Sequence, residues 1–269
     1  MIRSKLLRSS KNALLACIAL AALGAVSAHA GSETELLAPK GHLRVGVYPG
    51  TPTSMVTDPV TKQTHGVAYD LGAEFARRLH VPVEYVTFQR VADVVAAIKN
   101  GEVDFTVSNA TPARANDVSF SPPVISVELG YLVPANSPIS RADELDRPGV
   151  RIGVTKGSTS ERTLPARFKN ATIVPAESVK LAVGMFGRGE LDTYATNKPT
   201  LFEMSDSMPG SRILDGNWGL EHIAVAIPKG REQGLAFVGA FVKDVQSNGL
   251  LEQIQQQAGL RGAVKADSK

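Results

Sequence analysis

The sequence predicts an α/β protein organised as two similar lobes, each a mostly parallel sheet covered by helices. Two observations carry this. Strand-like and helix-like segments alternate along the chain, and a pattern near residues 43–47 and 101–109 recurs at 150–154 and 189–197. The 239 residues that follow the first thirty have room for two ordinary lobes or one large domain.

Leu43-Arg44-Val45-Gly46-Val47 has the character of a strand. From Asp70 a helix is expected, with Leu71, Phe75 and Leu79 on one face and Asp70 as a cap at its start. Val83–Phe88 is the next strand. Val91, Val94, Val95 and Ile98 mark a second amphipathic helix, ended by the left-handed cap of Asn100-Gly101. Val103–Ser108 is then a strand. The order repeats: Val150-Arg151-Ile152-Gly153-Val154 has the character of 43–47, and Val179, Ala182, Val183 and Phe186 form an apolar helix face. Gly189-Glu190-Leu191-Asp192-Thr193-Tyr194-Ala195-Thr196-Asn197 follows, identical at four of nine positions to Gly101-Glu102-Val103-Asp104-Phe105-Thr106-Val107-Ser108-Asn109. Gly-Glu-X-Asp is also an ordinary helix-to-strand turn, but agreement in order as well as in sequence favours two lobes. Ligands of open parallel sheets sit beyond the carboxyl ends of the strands, so Ser108-Asn109 and Thr196-Asn197 are expected to face a shared cleft. Helix-start N–H groups would point there and favour an anionic group.

The first thirty residues stand apart. Arg3, Lys5, Arg8 and Lys11 make a basic start without an acid, Ala13–Val26 is almost wholly apolar, and Ala28-His29-Ala30 places small residues where a signal peptidase reads. A secretory signal cleaved after Ala30 is expected, hence a periplasmic protein. The fourteen apolar residues fall short of the ~20 that span a bilayer. Lipid attachment at Cys17 is the alternative, set against by nine further apolar residues. Cys17 is the only cysteine, so the mature chain would have no disulfide and no thiolate metal site. The leader holds four of the 29 basic residues and none of the 26 acids, leaving 25 against 26, a formal charge of −1. That removes the charge argument for nucleic acid. His42, His65, His80 and His222 have no paired helical spacing, and neither a phosphate loop nor Gly-X-Ser-X-Gly occurs, so no metal, cofactor or nucleophile elbow is expected.

A series of blocks then carries a resemblance. They are Leu43–Val47, Gly66-Val67-Ala68-Tyr69-Asp70-Leu71, Gly101-Glu102-Val103-Asp104, Thr111-Pro112-Ala113-Arg114 and Phe120-Ser121-Pro122-Pro123. Ser137-Pro138-Ile139, Val150–Val154, Gly157-Ser158-Thr159, Ala224–Lys229, Asn248-Gly249 and Ile254 follow. In this order and spacing they resemble the family 3 extracellular solute-binding proteins, the amino-acid-type periplasmic receptors of ABC importers. The resemblance implies the type II periplasmic-binding-protein fold. Lobe 1 would comprise residues 41–126 and 224–262 and lobe 2 residues 127–223, joined by hinge strands near Val127–Val133 and His222–Ile227. It also implies a monomer that closes around a small ligand and presents it to an importer permease.

Arg114 is the foremost candidate ligand residue. A guanidinium is a flat, two-pronged donor for a carboxylate, and the resemblance gives the matching arginine that role. Ser108, Asn109 and Thr111 share its loop; the last two also suit simple turn closure. Ser158 and Thr159, at a helix start, are candidates both for the N-cap and for the ligand carboxylate. Tyr48 follows the first strand and is a candidate aromatic contact, as is Trp218. The family places an aspartate at the position of Asn197, where it neutralises the ligand ammonium; an amide cannot supply that charge. The family's two sandwiching aromatics correspond to Thr51 and Val91. The expected ligand is therefore an amino acid or an amine-free carboxylate. Two other classes compete: a cyclic-acid dehydratase on the same scaffold, with Glu128 or Glu161 as general acid, and a subunit that presents ligand to a sensor.

Overall fold

The computed structural model describes residues 33–264, so the expected leader and Cys17 lie outside the described residues. β1 (Leu43–Val47) is buried at all five positions, as a parallel strand covered on both faces must be. A small antiparallel pair, β2 (Val56–Thr57) and β3 (Thr64–His65), precedes α1 (Val67–Arg78), whose inner stripe includes Leu71 and Phe75. The helix starts three residues before the predicted Asp70. Asp70 instead reaches back from inside the first turn, its carboxylate accepting from Gly66 N at 2.9 Å, which satisfies an otherwise unpaired helix-start N–H. β4 (Val83–Thr87) pairs in parallel with β1. α2 (Val91–Lys99) packs through Val94, Ala97 and Ile98 and ends at Asn100, with Gly101 left-handed at φ 69.

β5 (Thr106–Asn109) begins three residues later than the predicted Val103. Phe105 makes a single parallel bridge to Val45, and only from Thr106 does the chain pair with the antiparallel β11 (Gly219–Pro228). After the short α3 (Pro112–Ala115), β6 (Val118–Val133) runs sixteen residues. The second lobe follows with β7 (Arg151–Thr155), α4 (Thr159–Thr163), β8 (Thr172–Ala176), α5 (Val179–Gly187), β9 (Thr193–Asn197), α6 (Lys198–Asp206) and β10 (Arg212–Ile213). After β11 come α7 (Leu235–Ser247), α8 (Leu250–Gln257) and β12 (Ala263–Val264). The strand order is β5-β11-β6-β9-β7-β8, with β1-β4 flanking β5 through the Val45–Phe105 bridge. β7 pairs in parallel with β8 and β9, whereas β6 and β11 are antiparallel to their neighbours and pass between the lobes. Both long strands begin before the predicted hinge segments. Their mutual register shifts at Ile223–Ala226, opposite Pro122-Pro123, where proline removes ladder donors; Val225 N turns to Ser121 Oγ at 3.1 Å instead.

The cores divide accordingly. Phe75, Phe105 and Phe241 centre one, with ring centroids 5.1 and 4.9 Å from Phe75. In the second lobe, Ile152, Val154 and Leu164 lie in one cluster and Tyr194, Leu191 and Met204 in another.

The repeated motif has a physical cause. Arg44 is 6% exposed, and its backbone N–H, Nε and Nη2 all donate to the Asp104 carboxylate, at 3.1, 2.8 and 2.8 Å. Arg151 does the same to Asp192, at 2.8, 2.9 and 3.0 Å. In each lobe the second residue of the sequence block is thereby forked to the residue that leads into the neighbouring strand. Gly46 and Gly153 complete the pattern: a Cβ on Gly46 would lie 2.9 Å from Val94 Cγ1, and one on Gly153 would lie 2.6 Å from Leu191 Cδ1. Gly101 and Gly189 are both left-handed, at φ 69 and 67.

Candidate functional site

The carboxyl ends of β5 and β9 meet at a cavity between the lobes, lined by Tyr48, Ser108, Asn109, Arg114, Ser158, Thr159 and Asn197 among others. Traced by the centre of a water molecule, it measures about 40 Å³. That is well below the roughly 300 Å³ of an open ligand pocket. The lobes are closed on one another: the Thr51 and Thr200 hydroxyls are hydrogen-bonded at 2.8 Å, Asn109 Nδ2 donates to Thr159 Oγ1 at 3.2 Å, and Arg90 pairs with Glu177 at the rim. Gly157 abuts α2 so tightly that a Cβ there would lie 2.4 Å from Ala92 Cβ.

Arg114 is held by a local device. Thr111 caps α3, its Oγ1 accepting from Arg114 N at 3.2 Å, and Pro112 occupies the first turn, where a missing N–H costs nothing. Arg114 is 6% exposed. Its Nη1 donates to Ser108 Oγ at 2.9 Å and to Asn109 O at 3.2 Å. Nε and Nη2 make no hydrogen bond among the described residues, so two donors of the fork remain beside the cavity. Burial pulls its pKa below the usual value and the Glu221 charge opposes that shift; an arginine so placed still carries its charge. Thr111 itself is not among the cavity-lining residues; its Oγ1 accepts the cap bond from Arg114 N and its own O–H stays available.

Ser158 caps α4, its Oγ accepting from Glu161 N at 3.2 Å, and Glu161 Oε2 accepts from the preceding Gly157 N at 2.6 Å. Glu161 is therefore committed to the helix start. Glu128 is bound by Lys198 and Asn217, and neither acid lines the cavity. The dehydratase alternative thus loses both of its sequence candidates. Trp218 lies elsewhere too, packed 6.1 Å from the Tyr131 ring with Nε1 donating to Gly130 O. Thr51 and Val91 do line the cavity, so no aromatic pair stands there. The Tyr48 phenol faces inward, where burial pushes its pKa up to about 12 and the Glu221 charge adds to the effect.

Sequence reasoning missed one residue. Glu221, on β11, is 8% exposed, and both its carboxylate oxygens are engaged. Oε1 accepts from Asn109 Nδ2 at 3.2 Å and Oε2 from Asn197 Nδ2 at 3.0 Å. The available signal was its place two residues before Ile223, on the same face of a strand otherwise rich in Ile, Ala and Val. The expected hinge strand began at His222, one residue too late to include it.

A family model for the bacterial extracellular solute-binding proteins, family 3, matches residues 43–260. The ABC transporter glutamine-binding protein GlnH of Bacillus subtilis is 23% identical over 255 residues, which cover 91% of this chain and 93% of that protein. Among solved structures, the ancestral amino acid-binding protein AncCDT-1, a precursor of cyclohexadienyl dehydratase, matches with a TM-score of 0.72 at 25% identity, over 82% of this chain and 96% of its own. The amino acid ABC transporter substrate-binding protein AbpA of Streptococcus pneumoniae, bound to L-arginine, shares the fold with a TM-score of 0.75 at 20% identity, over 83% and 97% of the two chains. A match that runs through both lobes and the strands between them makes this chain a member of the bacterial extracellular solute-binding proteins, family 3.

Proposed function

We propose that the chain is a periplasmic receptor that captures a small carboxylate-bearing solute in the interlobe cleft and delivers it to an ABC importer permease. The observation that carries this is Arg114, a buried guanidinium at the cavity with two donors of its fork unused by the described residues. The relatives support transport: GlnH is a glutamine-binding protein of an ABC transporter, and AbpA was solved with L-arginine. On this proposal the lobes divide near residues 126–127 and 223–224, the leader ends at Ala30, and the receptor works as a monomer.

One observation favours a second possibility, an enzyme of the cyclic-acid dehydratase type: Glu221 is a carboxylate inside the cavity. Both its oxygens accept amide N–H groups, the disposition of a charge acceptor rather than of an acid aimed at a substrate. The transport proposal is therefore preferred.

Calorimetry and thermal shift on residues 31–269 test it, against small carboxylic acids with and without an amine. Saturable binding without turnover is expected, and a solute at a hundred times its Kd stabilises by about 2.7 kcal/mol. Arg114→Ala is expected to remove a charge-assisted contact worth about 1.5–3 kcal/mol, raising Kd roughly 10- to 150-fold. Binding unchanged in Arg114→Ala overturns the carboxylate anchor, and consumption of the solute overturns transport.

A further inference from the structure

We infer that Glu221 supplies the negative charge of the binding site, so that the cleft selects a solute carrying a cationic group beside its carboxylate. The inference rests on Arg114 taking the carboxylate, as proposed above.

Asn197 stands where the family resemblance placed the acid, and it cannot act as one. Its Oδ1 accepts from Thr200 N at 3.1 Å and from Thr200 Oγ1 at 2.7 Å, as the N-cap of α6. Those two donors fix the amide orientation, so Nδ2 points to Glu221. Asn109 is oriented the same way: Oδ1 accepts from His222 N at 3.1 Å, and Nδ2 turns to Glu221 and Thr159. Both strand-end amides therefore present N–H groups to the same carboxylate. An ammonium placed against them would meet donors, which it cannot use.

Glu221 is the only acid among the described residues that line the cavity. Its carboxylate has about four acceptor positions and the two amides occupy two, which leaves capacity for a further donor. The charge balance points the same way. Of the two lining arginines, Arg90 is taken by Asp93 and Glu177 at the rim. Arg114 and Glu221 remain, and no ion pair joins them among the described residues. Each is a buried charge without a direct counter-ion, an arrangement that stays costly until a partner arrives. A zwitterion supplies both partners at once. An amine-free acid supplies one and sets a second negative charge beside Glu221, which discriminates against it.

The placement on β11 sets the acceptor between the lobes. Glu221 is bonded to Asn109 from one lobe and to Asn197 from the other. Ladder pairs Asn109–Ile223 and Asn197–Leu129 hold the two amides on strands beside β11 and β6, so the acceptor site is built on the strands that pass between the lobes.

The test is calorimetry with the standard L-amino acids and, for each one that binds, the acid of the same skeleton with hydrogen in place of the amine. The full mature chain is used, wild type and Glu221→Gln. The wild type is expected to prefer the amino acid by about 100-fold, as for a buried charge pair. Glu221→Gln is expected to reduce that preference to within a few-fold. The ratio of the two affinities is taken within each variant, so a change in folded fraction does not enter it. A wild type that binds the amine-free acid as well as the amino acid, or binds no amino acid, overturns the inference; so does a Glu221→Gln protein that keeps the full preference. Arg114→Ala separates this from the anchor. It lowers both affinities if the anchor holds, and a protein that keeps both overturns the anchor while the Glu221 comparison stands on its own ratio.

Discussion

Removing the Asp104 carboxylate should destabilise the protein far more than removing its counterpart Asp192, although the two make the same fork. The Asp104 side chain is 0% exposed and binds two arginines, Arg44 at 7% and Arg231 at 16% side-chain exposure. Asp192 is 33% exposed and binds Arg151, itself 40% exposed. Breaking a buried pair leaves uncompensated charge and costs about 3–5 kcal/mol. The exposed pair is screened by solvent and contributes about 0–1 kcal/mol. At about 2–4 °C per kcal/mol for a chain of this size, Asp104→Asn should lower Tm by roughly 6–20 °C and Asp192→Asn by no more than about 4 °C. Far-UV circular dichroism of the ligand-free protein, with urea titration for the free energies, measures both. The acid limb adds a sign. Burial raises the Asp104 pKa, but the bonds from Arg44 and Arg231 outweigh it and the net shift is downward. The stabilisation is then complete above the unfolded value near 3.9 and is lost as pH falls through the lower folded value. The gap between wild type and Asp104→Asn should accordingly narrow below about pH 4. Equal costs for the two substitutions, or a gap that widens in acid, would refute the reasoning.

Gly157→Ala should weaken ligand binding by about tenfold or more, because closure brings its new Cβ to 2.4 Å from Ala92 Cβ, and φ 74 adds backbone strain. Calorimetry of Gly157→Ala and of Gly157→Ala with Ala92→Gly checks it: the second change should recover affinity, and an unaffected single variant removes Gly157 from the closing contact. Trp218→Phe should cost about 1–2 kcal/mol of stability through the lost bond to Gly130 O, and leave Kd within about twofold. A tenfold change in Kd would place Trp218 in the binding path after all.

The parts of this molecule that sequence made legible are those determined by near neighbours or by repetition. The Gly-Glu-X-Asp echo was readable because its key residues each do one local thing. The glycine takes a left-handed φ, and the aspartate forks the arginine of the adjacent strand. The convergence of Asn109 and Asn197 followed from the strand-end rule applied to both copies. Other features needed contacts distant in sequence. Glu221 lies 112 residues from the amide of Asn109, and its inward aim depends on how β11 runs beside β5 and β6. Thr111 was ambiguous because one hydroxyl suits a cap and a ligand equally; the 3.2 Å bond to Arg114 N shows the cap. The late start of β5 reflects Arg44 O, whose acceptance of both Asp104 N and Phe105 N holds the chain off the ladder until Thr106.

The closed arrangement is held by few direct bonds, and that shapes how a solute would act on it. Thr51–Thr200 and Asn109–Thr159 are neutral hydrogen bonds, worth about 0.5–1.5 kcal/mol each, and the Arg90–Glu177 pair is exposed at the rim. Contacts of that size bias the lobes without committing them. Moving a population from 1:99 to 99:1 takes about 5.5 kcal/mol of differential affinity, which is near the sum of two charge-assisted contacts at about 1.5–3 kcal/mol each. A carboxylate on Arg114 engages one lobe, and Ser158 and Thr159 of the other lobe line the same cavity. A solute that also engages Glu221 adds a second charged contact on a strand that passes between the lobes, which raises the differential affinity available to favour closure. Selection for the cationic group and the bias toward closure would then act through the same contact, located on the strand that bends between the lobes.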